Sequence, residues 1–195
     1  MRKLYRITAQ GIVETLKSTL TTNARATRIL EKLNLANPKW GSGDRNTVHK
    51  ATYDILRWKS YYTFLANPKE DASEKEIHWE LLGVWLIING LEVPDWEEFK
   101  NIDAKEIKAR QKEKTTPEIS KSMPDWLYEK GKAELSKEWN IELDALNLEA
   151  KLILRVNRII ISPKKLQEEL LTKHSIETHQ IKGYDDALLL DKRKN

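Results

Sequence analysis

Cysteine is absent from the 195 residues. That excludes disulfides, thiolate zinc sites and any reaction step that needs a thiolate nucleophile. No apolar run approaches the roughly 20 residues that span a bilayer, and no signal-peptide pattern is visible after Met1-Arg2-Lys3, so a cytoplasmic protein is expected. Glycine is scarce, and its one close pair, Gly41 and Gly43, falls between two predicted helices. A flexible turn capping the following helix explains it, and no glycine-rich ligand-binding turn after a first strand is visible. No Ser-His-Asp set or carboxylate pair stands out from the charged background. His174, His179 and Asp185 match no zinc spacing.

What is present suffices for a sizeable core: 39% of residues are hydrophobic, and seven tryptophans and six tyrosines each bury a large area if they point inward. The net charge of +4 hides a gradient. Residues 1–66 hold 12 basic against 4 acidic residues, 67–115 hold 8 against 12, and 116–195 hold 14 of each. A basic helical end suits phosphate binding; scattered lysines that only solvate the surface are the competing explanation.

Apolar residues at Tyr5, Ala9, Ile12, Val13, Leu16 and Leu20 predict an amphipathic helix over 4–21. Thr22-Asn23 then caps a second helix carrying Ala26, Ile29, Leu30 and Leu33, which ends before Pro38. After Gly41-Ser42-Gly43-Asp44, the spacing of Val48, Ala51, Ile55, Trp58, Tyr62 and Leu65 predicts a third helix of about six turns, stopped by Pro68. Residues 74–91 read as a helix apolar nearly all round, the buried centre of a bundle. Pro94-Asp95-Trp96 and Pro124-Asp125-Trp126 both look like helix starts with an Asp cap. The charged stretch from Asp103 to Glu118 reads as a linker or exposed helix, which places a boundary near residue 118. Beyond it Leu152, Leu154 and Val156 alternate as in a strand, Ser162-Pro163 opens a helix bearing Leu166, Leu170 and Leu171, and Ala187–Leu190 closes with a strand. The fold class is thus mainly α: a helical bundle over 1–117, then a small α+β strand–helix–strand segment over 118–195.

Arg45, His49, Tyr53 and Arg57 recur every four residues and line one stripe of the third helix. Such a stripe can grip phosphates through its guanidiniums, with Tyr53 stacking on an unpaired base. Internal pairing of Arg57 with Asp54 or Asp44, and Tyr53 filling the core, is the alternative. Arg25 and Arg28, with Lys17 and Lys32, extend this basic face. Trp40 stacks on a base or lids the bundle. Arg155 and Asn157, two apart on a strand, share a face opposite Val156.

Over residues 23–66, Ala24-Arg25-Ala26-Thr27-Arg28-Ile29-Leu30, then Asp44-Arg45, then Tyr53-Asp54-Ile55-Leu56-Arg57-Trp58 resemble the RNA-binding helical domain of NusB antitermination factors. Residues 124–195, with Pro124, Trp126, Leu127, Arg155, Val156 and Asn157, resemble the short mixed segment that precedes the catalytic domain in the Sun (NOL/NOP) family of RNA cytosine carbon-5 methyltransferases. The order of the two similarities carries the case. The resemblance implies a non-catalytic N-terminal part that docks RNA, with small-subunit ribosomal RNA as expected partner and Arg25, Arg28, Arg45, Tyr53, Arg57, Arg155 and Asn157 as candidate contacts. It implies further that S-adenosylmethionine and the two catalytic cysteines belong to a C-terminal catalytic domain outside this chain. A standalone NusB-like RNA and protein interaction module in transcription antitermination is the alternative, for which residues 118–195 have no evident use.

Overall fold

In the computed structural model, which describes residues 4–22 and 24–190, the chain forms two compact units, Met1–Leu143 and Asp144–Asn195. The first unit contains α1 (Arg6–Thr22), α2 (Ala26–Ala36), α3 (Ser42–Arg57), α4 (Lys59–Ala66), α5 (Glu74–Ile88), α6 (Ala104–Arg110), the single turn α7 (Pro117–Ser120) and α8 (Asp125–Leu135). α9 (Trp139–Leu146) spans the division, and the second unit holds β1 (Ile153–Arg155), α10 (Pro163–His174), β2 (Thr178–Ile181) and β3 (Tyr184–Leu190).

α5 is the axis of the first unit because nine consecutive residues, His78–Leu86, are buried. With so little polar face, the helix is stable only when surrounded, and α1, α3, α4 and α6 pack against it. Its start is fixed by a reciprocal cap: Ser73 Oγ accepts the Glu76 N–H at 3.3 Å and the Ser73 N–H donates to Glu76 Oε2 at 2.9 Å. Gly83 faces Ile102 so closely that an added Cβ would lie 2.7 Å from Ile102 Cγ1.

Three details differ from the sequence expectation. The N-cap position of α2 is Arg25, without a side-chain cap bond; Asn23, expected to share that role, lies outside the described residues. The predicted third helix is two, because Trp58 (φ −101°, ψ 24°) leaves the helical region between α3 and α4. The change of direction lets Ile55 of α3 and Tyr62 and Leu65 of α4 all enter the core. The orphan N–H of Tyr61 in the first turn of α4 is then satisfied by Ser122 Oγ at 2.9 Å. Lastly, the charged stretch after Asp103 is no free linker. Asp103 caps α6 by accepting from the Lys105 N–H at 2.7 Å, Ile107 is buried, and Arg110 Nη1 donates to the Leu65 carbonyl at 2.8 Å.

The two Pro-Asp-Trp segments behave differently from each other. Trp96 leads only into a single 3₁₀ turn, Glu97–Phe99, and stacks on Phe99 while meeting Trp79 edge-on. Pro124 is the N-cap of α8, so Asp125 is its first helical residue and makes no side-chain cap bond. There a small satellite core joins Tyr128, Trp139 and Leu143, with Met123 against it.

The second unit is an antiparallel sheet of order β1-β3-β2. The sequence reading supplied β1, α10 and β3; β2 is additional. Leu154 pairs with Leu188 and Ile153 with Leu189, so the two pairs point to opposite faces. Leu188 is fully buried, α10 packs against β2 and β3, and Gln167 Nε2 donates to the Thr178 carbonyl at 2.9 Å. β2 and β3 join through Lys182-Gly183, where Gly183 takes φ +87°, a conformation a two-residue hairpin turn requires and glycine adopts without strain.

Glu80 supplies a stability prediction. It is buried, Asn101 Nδ2 donates to one carboxylate oxygen at 3.3 Å, and the other has no partner among the described residues. Burial pushes its carboxyl above the ordinary carboxylate value. The folded state therefore takes up this proton before the unfolded one as pH falls, so the penalty of the buried charge is present at neutral pH and relieved in acid. Glu80→Gln is expected to stabilise by about 1 kcal/mol near neutrality. The gain over the native chain should vanish near pH 4.5, the ordinary carboxylate value. His78, whose imidazole burial pushes down, destabilises below its ordinary value in both proteins and cancels from the comparison. Melting temperatures across pH check it; a gain that does not shrink in acid would show that the charge is not its origin.

Candidate nucleic-acid interface

Helices α2 and α3 run antiparallel and are tied at two levels. Thr27 Oγ1 and Tyr53 Oη lie 3.0 Å apart, and Asn34 Nδ2 and His49 Nε2 lie 2.9 Å apart. An amide donor in the second bond makes His49 Nε2 the acceptor and leaves the ring proton on Nδ1. Tyr53 is 45% exposed. It does not fill the core, and its ring is displayed at the surface with its hydroxyl anchored.

Arg25, Arg28, Arg45 and Arg57 are all exposed, and among the described residues Arg25, Arg28 and Arg45 form no ion pair. They do not form one cluster. The antiparallel pairing brings Tyr53 level with the start of α2, where Arg25 and Arg28 lie, and Arg57 follows one turn further along α3. Arg45 sits eight residues before Tyr53 on α3, about 12 Å away along the axis at 1.5 Å per residue. The face therefore offers two cationic ends with an aromatic ring at one of them. The guanidiniums of Arg25 and Arg28 at one end can each make bidentate bonds to phosphate oxygens, and an exposed ring beside such groups can stack on an unpaired base.

The other candidates are placed differently. Trp40 is buried and abuts α1 so closely that a Cβ on Gly11 would lie 2.8 Å from its ring; it lids the bundle. In the second unit β1 ends at Arg155, whose Nε donates to Asp186 Oδ2 at 3.2 Å with the side chain 90% exposed. Asn157 is beyond the strand, in a turn, where its Oδ1 accepts the Ile159 N–H at 3.1 Å. The two share no strand face: one remains exposed beside its carboxylate partner, the other shapes the backbone. No group of three His, Cys, Asp or Glu side chains suited to a metal occurs among the described residues, and no described helix is long and apolar enough to cross a membrane.

Sequence reasoning missed Arg6 and a cleft beside it. Arg6 lies 5.5 Å over the Trp96 ring and pairs with Glu98. The cleft, of about 960 Å³, opens between the starts of α1 and α3, the end of α5 and the loop that follows. Only the Trp96-x-x-Phe99 spacing hinted at an ordered strap there.

The chain is mainly α, with an antiparallel three-stranded sheet in its second unit and exposed arginines and a tyrosine on α2 and α3 of its first. Residues 123–195 match the family model of the ferredoxin-like domain of RsmF/B-like methyltransferases. The C-terminal part of the chain is thus similar to that domain, which supports a resemblance to the N-terminal part of Sun-family enzymes. The solved structure of PH0851 is similar over 100% of this chain, with a TM-score of 0.56 at 13% identity. At that identity the likeness is one of fold. The chain spans 50% of the length of that structure. No curated protein matches the chain.

Proposed function

We propose that this chain is the RNA-docking N-terminal part of a Sun-family, S-adenosylmethionine-dependent RNA cytosine carbon-5 methyltransferase. The match of residues 123–195 to the RsmF/B-like ferredoxin-like domain is the observation that carries the reading. In this reading residues 1–117 are a NusB-like RNA-binding domain and 118–195 the segment leading into the catalytic domain. The chain contains no cysteine, so the thiolate chemistry and the methyl donor are assigned to a catalytic domain in cis, outside this sequence. The substrate is structured RNA, with small-subunit ribosomal RNA the leading candidate, met in the cytoplasm.

Docking works through charge. Arg25, Arg28 and Arg57 with Tyr53 form one contact and Arg45 another, each releasing counterions from the phosphates it meets. Contacts of this kind position the RNA and carry no sequence information of their own. Affinity for a structured ribosomal RNA fragment is therefore expected to fall steeply with salt. An Arg25→Ala/Arg28→Ala/Arg45→Ala variant should bind about tenfold or more weakly at about 0.15 M salt, and its log–log salt slope should be shallower by about three. Filter binding across a salt series checks both. Unchanged affinity in the triple variant would remove this face from the reading.

A further inference from the structure

We propose that the cleft between the starts of α1 and α3 and the end of α5 receives a single unpaired guanine base of the docked RNA. This rests on the RNA-docking reading and adds to it a site that reads base identity. At about 960 Å³ the cleft is at the upper end of the roughly 300–1,000 Å³ typical of small-molecule sites.

Its floor holds an unsatisfied polar group. Thr8 is 2% exposed and lines the cleft, yet its Oγ1 has no partner among the described residues. Of the other α1 threonines, Thr15, Thr21 and Thr22 bond back to the carbonyl four residues earlier, at 2.7, 2.8 and 2.5 Å, while Thr19 Oγ1, like that of Thr8, has no partner among the described residues but lies outside the cleft lining. A buried hydroxyl without a bond costs about 1–3 kcal/mol, and a ligand atom that can donate or accept would recover that.

The charges select the ligand by elimination. Asp44, Glu92 and Asp95 line the cleft and disfavour a phosphate within it. Lys50 and the N-terminus of α3, which begins at Ser42 among the lining residues, disfavour a cation. The interior thus suits a neutral, polar, flat group whose donors meet the carboxylates. The walls fit that shape: Tyr5 is 59% exposed and free to stack, while Trp96 is held by Phe99 and Arg6 as a fixed boundary. Asn89 uses its amide N–H on the Trp85 carbonyl at 2.9 Å, which leaves its own oxygen as a further acceptor. Among the four bases, guanine alone presents two adjacent donors, N1–H and N2–H₂, on one edge, matched to the two oxygens of a carboxylate. Its ribose and phosphate then remain at the mouth, near Lys50 and the exposed Arg45.

The test is titration of the whole chain with guanosine, adenosine, cytidine and uridine 5′-monophosphates, read by tryptophan fluorescence, and with hairpin RNAs that carry or lack one unpaired guanine. Guanosine monophosphate should bind about tenfold more tightly than the other three, a difference of about one good hydrogen-bond pair. Thr8→Val, nearly isosteric, and the surface change Tyr5→Ala should each weaken it about fivefold while the circular dichroism stays native. Equal binding of all four nucleotides, preference for arginine amide over guanosine monophosphate, or variants that bind like the native chain would each overturn the base site. If the RNAs bind with a salt-dependent affinity but without regard to the unpaired guanine, the base site fails and the docking reading stands. If guanosine monophosphate binds as expected and no RNA does, the docking reading fails and a mononucleotide site remains.

Discussion

Alanine at position 131 is expected to cost about 3 kcal/mol, although Gly→Ala inside a helix ordinarily stabilises by about 0.5–1 kcal/mol. The sign is reversed by packing. Gly131 is in α8, and a Cβ built there would lie 2.4–2.5 Å from three ring atoms of Trp139. The ring is only 5% exposed, wedged with Tyr128 and Leu143, so it has no room to retreat and must leave its site. Overpacking of this severity falls at or beyond the upper end of the usual 1–3 kcal/mol. The cause is separable from helix propensity by a double-mutant cycle. In a Trp139→Ala background the same Gly131→Ala change should become neutral or mildly stabilising. A cost that persists without the indole would refute the assignment. The thermal or denaturant transition of the four proteins is the measurement.

Leu82→Ala is expected to cost about 2–5 kcal/mol, the range for emptying a well-packed leucine site. Leu82 is fully buried at the centre of α5, whose neighbours α1, α3, α4 and α6 cannot all move inward to fill the void. Helix propensity contributes little, since leucine and alanine are both good helix formers. Against a typical total of about 5–15 kcal/mol the loss is a large fraction. All seven tryptophans lie before residue 144, so tryptophan fluorescence reports on the first unit by itself. The urea midpoint should fall with an unchanged slope; a midpoint within error of the native value would mean that α5 is not the axis of that core.

How far the sequence foretold this can be judged from particular residues. α1 and α2 were legible because their apolar residues repeat at helical spacing over two turns or more, and α5 because its apolar stretch is too long and continuous for anything but a buried helix. The interruption at Trp58 was not, since Ile55, Trp58, Tyr62 and Leu65 keep a continuous helical pattern and only the surrounding helices decide that the chain must turn. α6 was legible only as one of two alternatives, linker or exposed helix, because its attachment depends on one buried side chain, Ile107, and one arginine reaching a distant carbonyl. β2 escaped because Thr178-His179-Gln180-Ile181 lies at the sheet edge with both central residues exposed, so it carries no apolar alternation. Among the candidate contacts, Tyr53 and Arg57 both lie exposed on α3, one turn apart. The separation of Arg45 from Arg25 and Arg28 follows from the antiparallel run of α2 and α3, which no local pattern encodes. The cleft is assembled from four segments far apart in sequence, and for that reason left almost no trace.

The strand order β1-β3-β2 has a bearing on how the second unit forms. β2 and β3 are joined by two residues, whereas Leu154 of β1 must find Leu188, thirty-four positions later. Closing the short loop costs far less chain entropy than closing the long one, so the hairpin should appear first, on the microsecond scale of such elements. β1 then docks onto a preformed edge, carrying with it the Val156 N–H that donates to the Asp186 carbonyl at 2.7 Å. β1 is thus the last strand to be secured during folding and the first released on unfolding, and hydrogen exchange should find its amides less protected than those shared by β2 and β3.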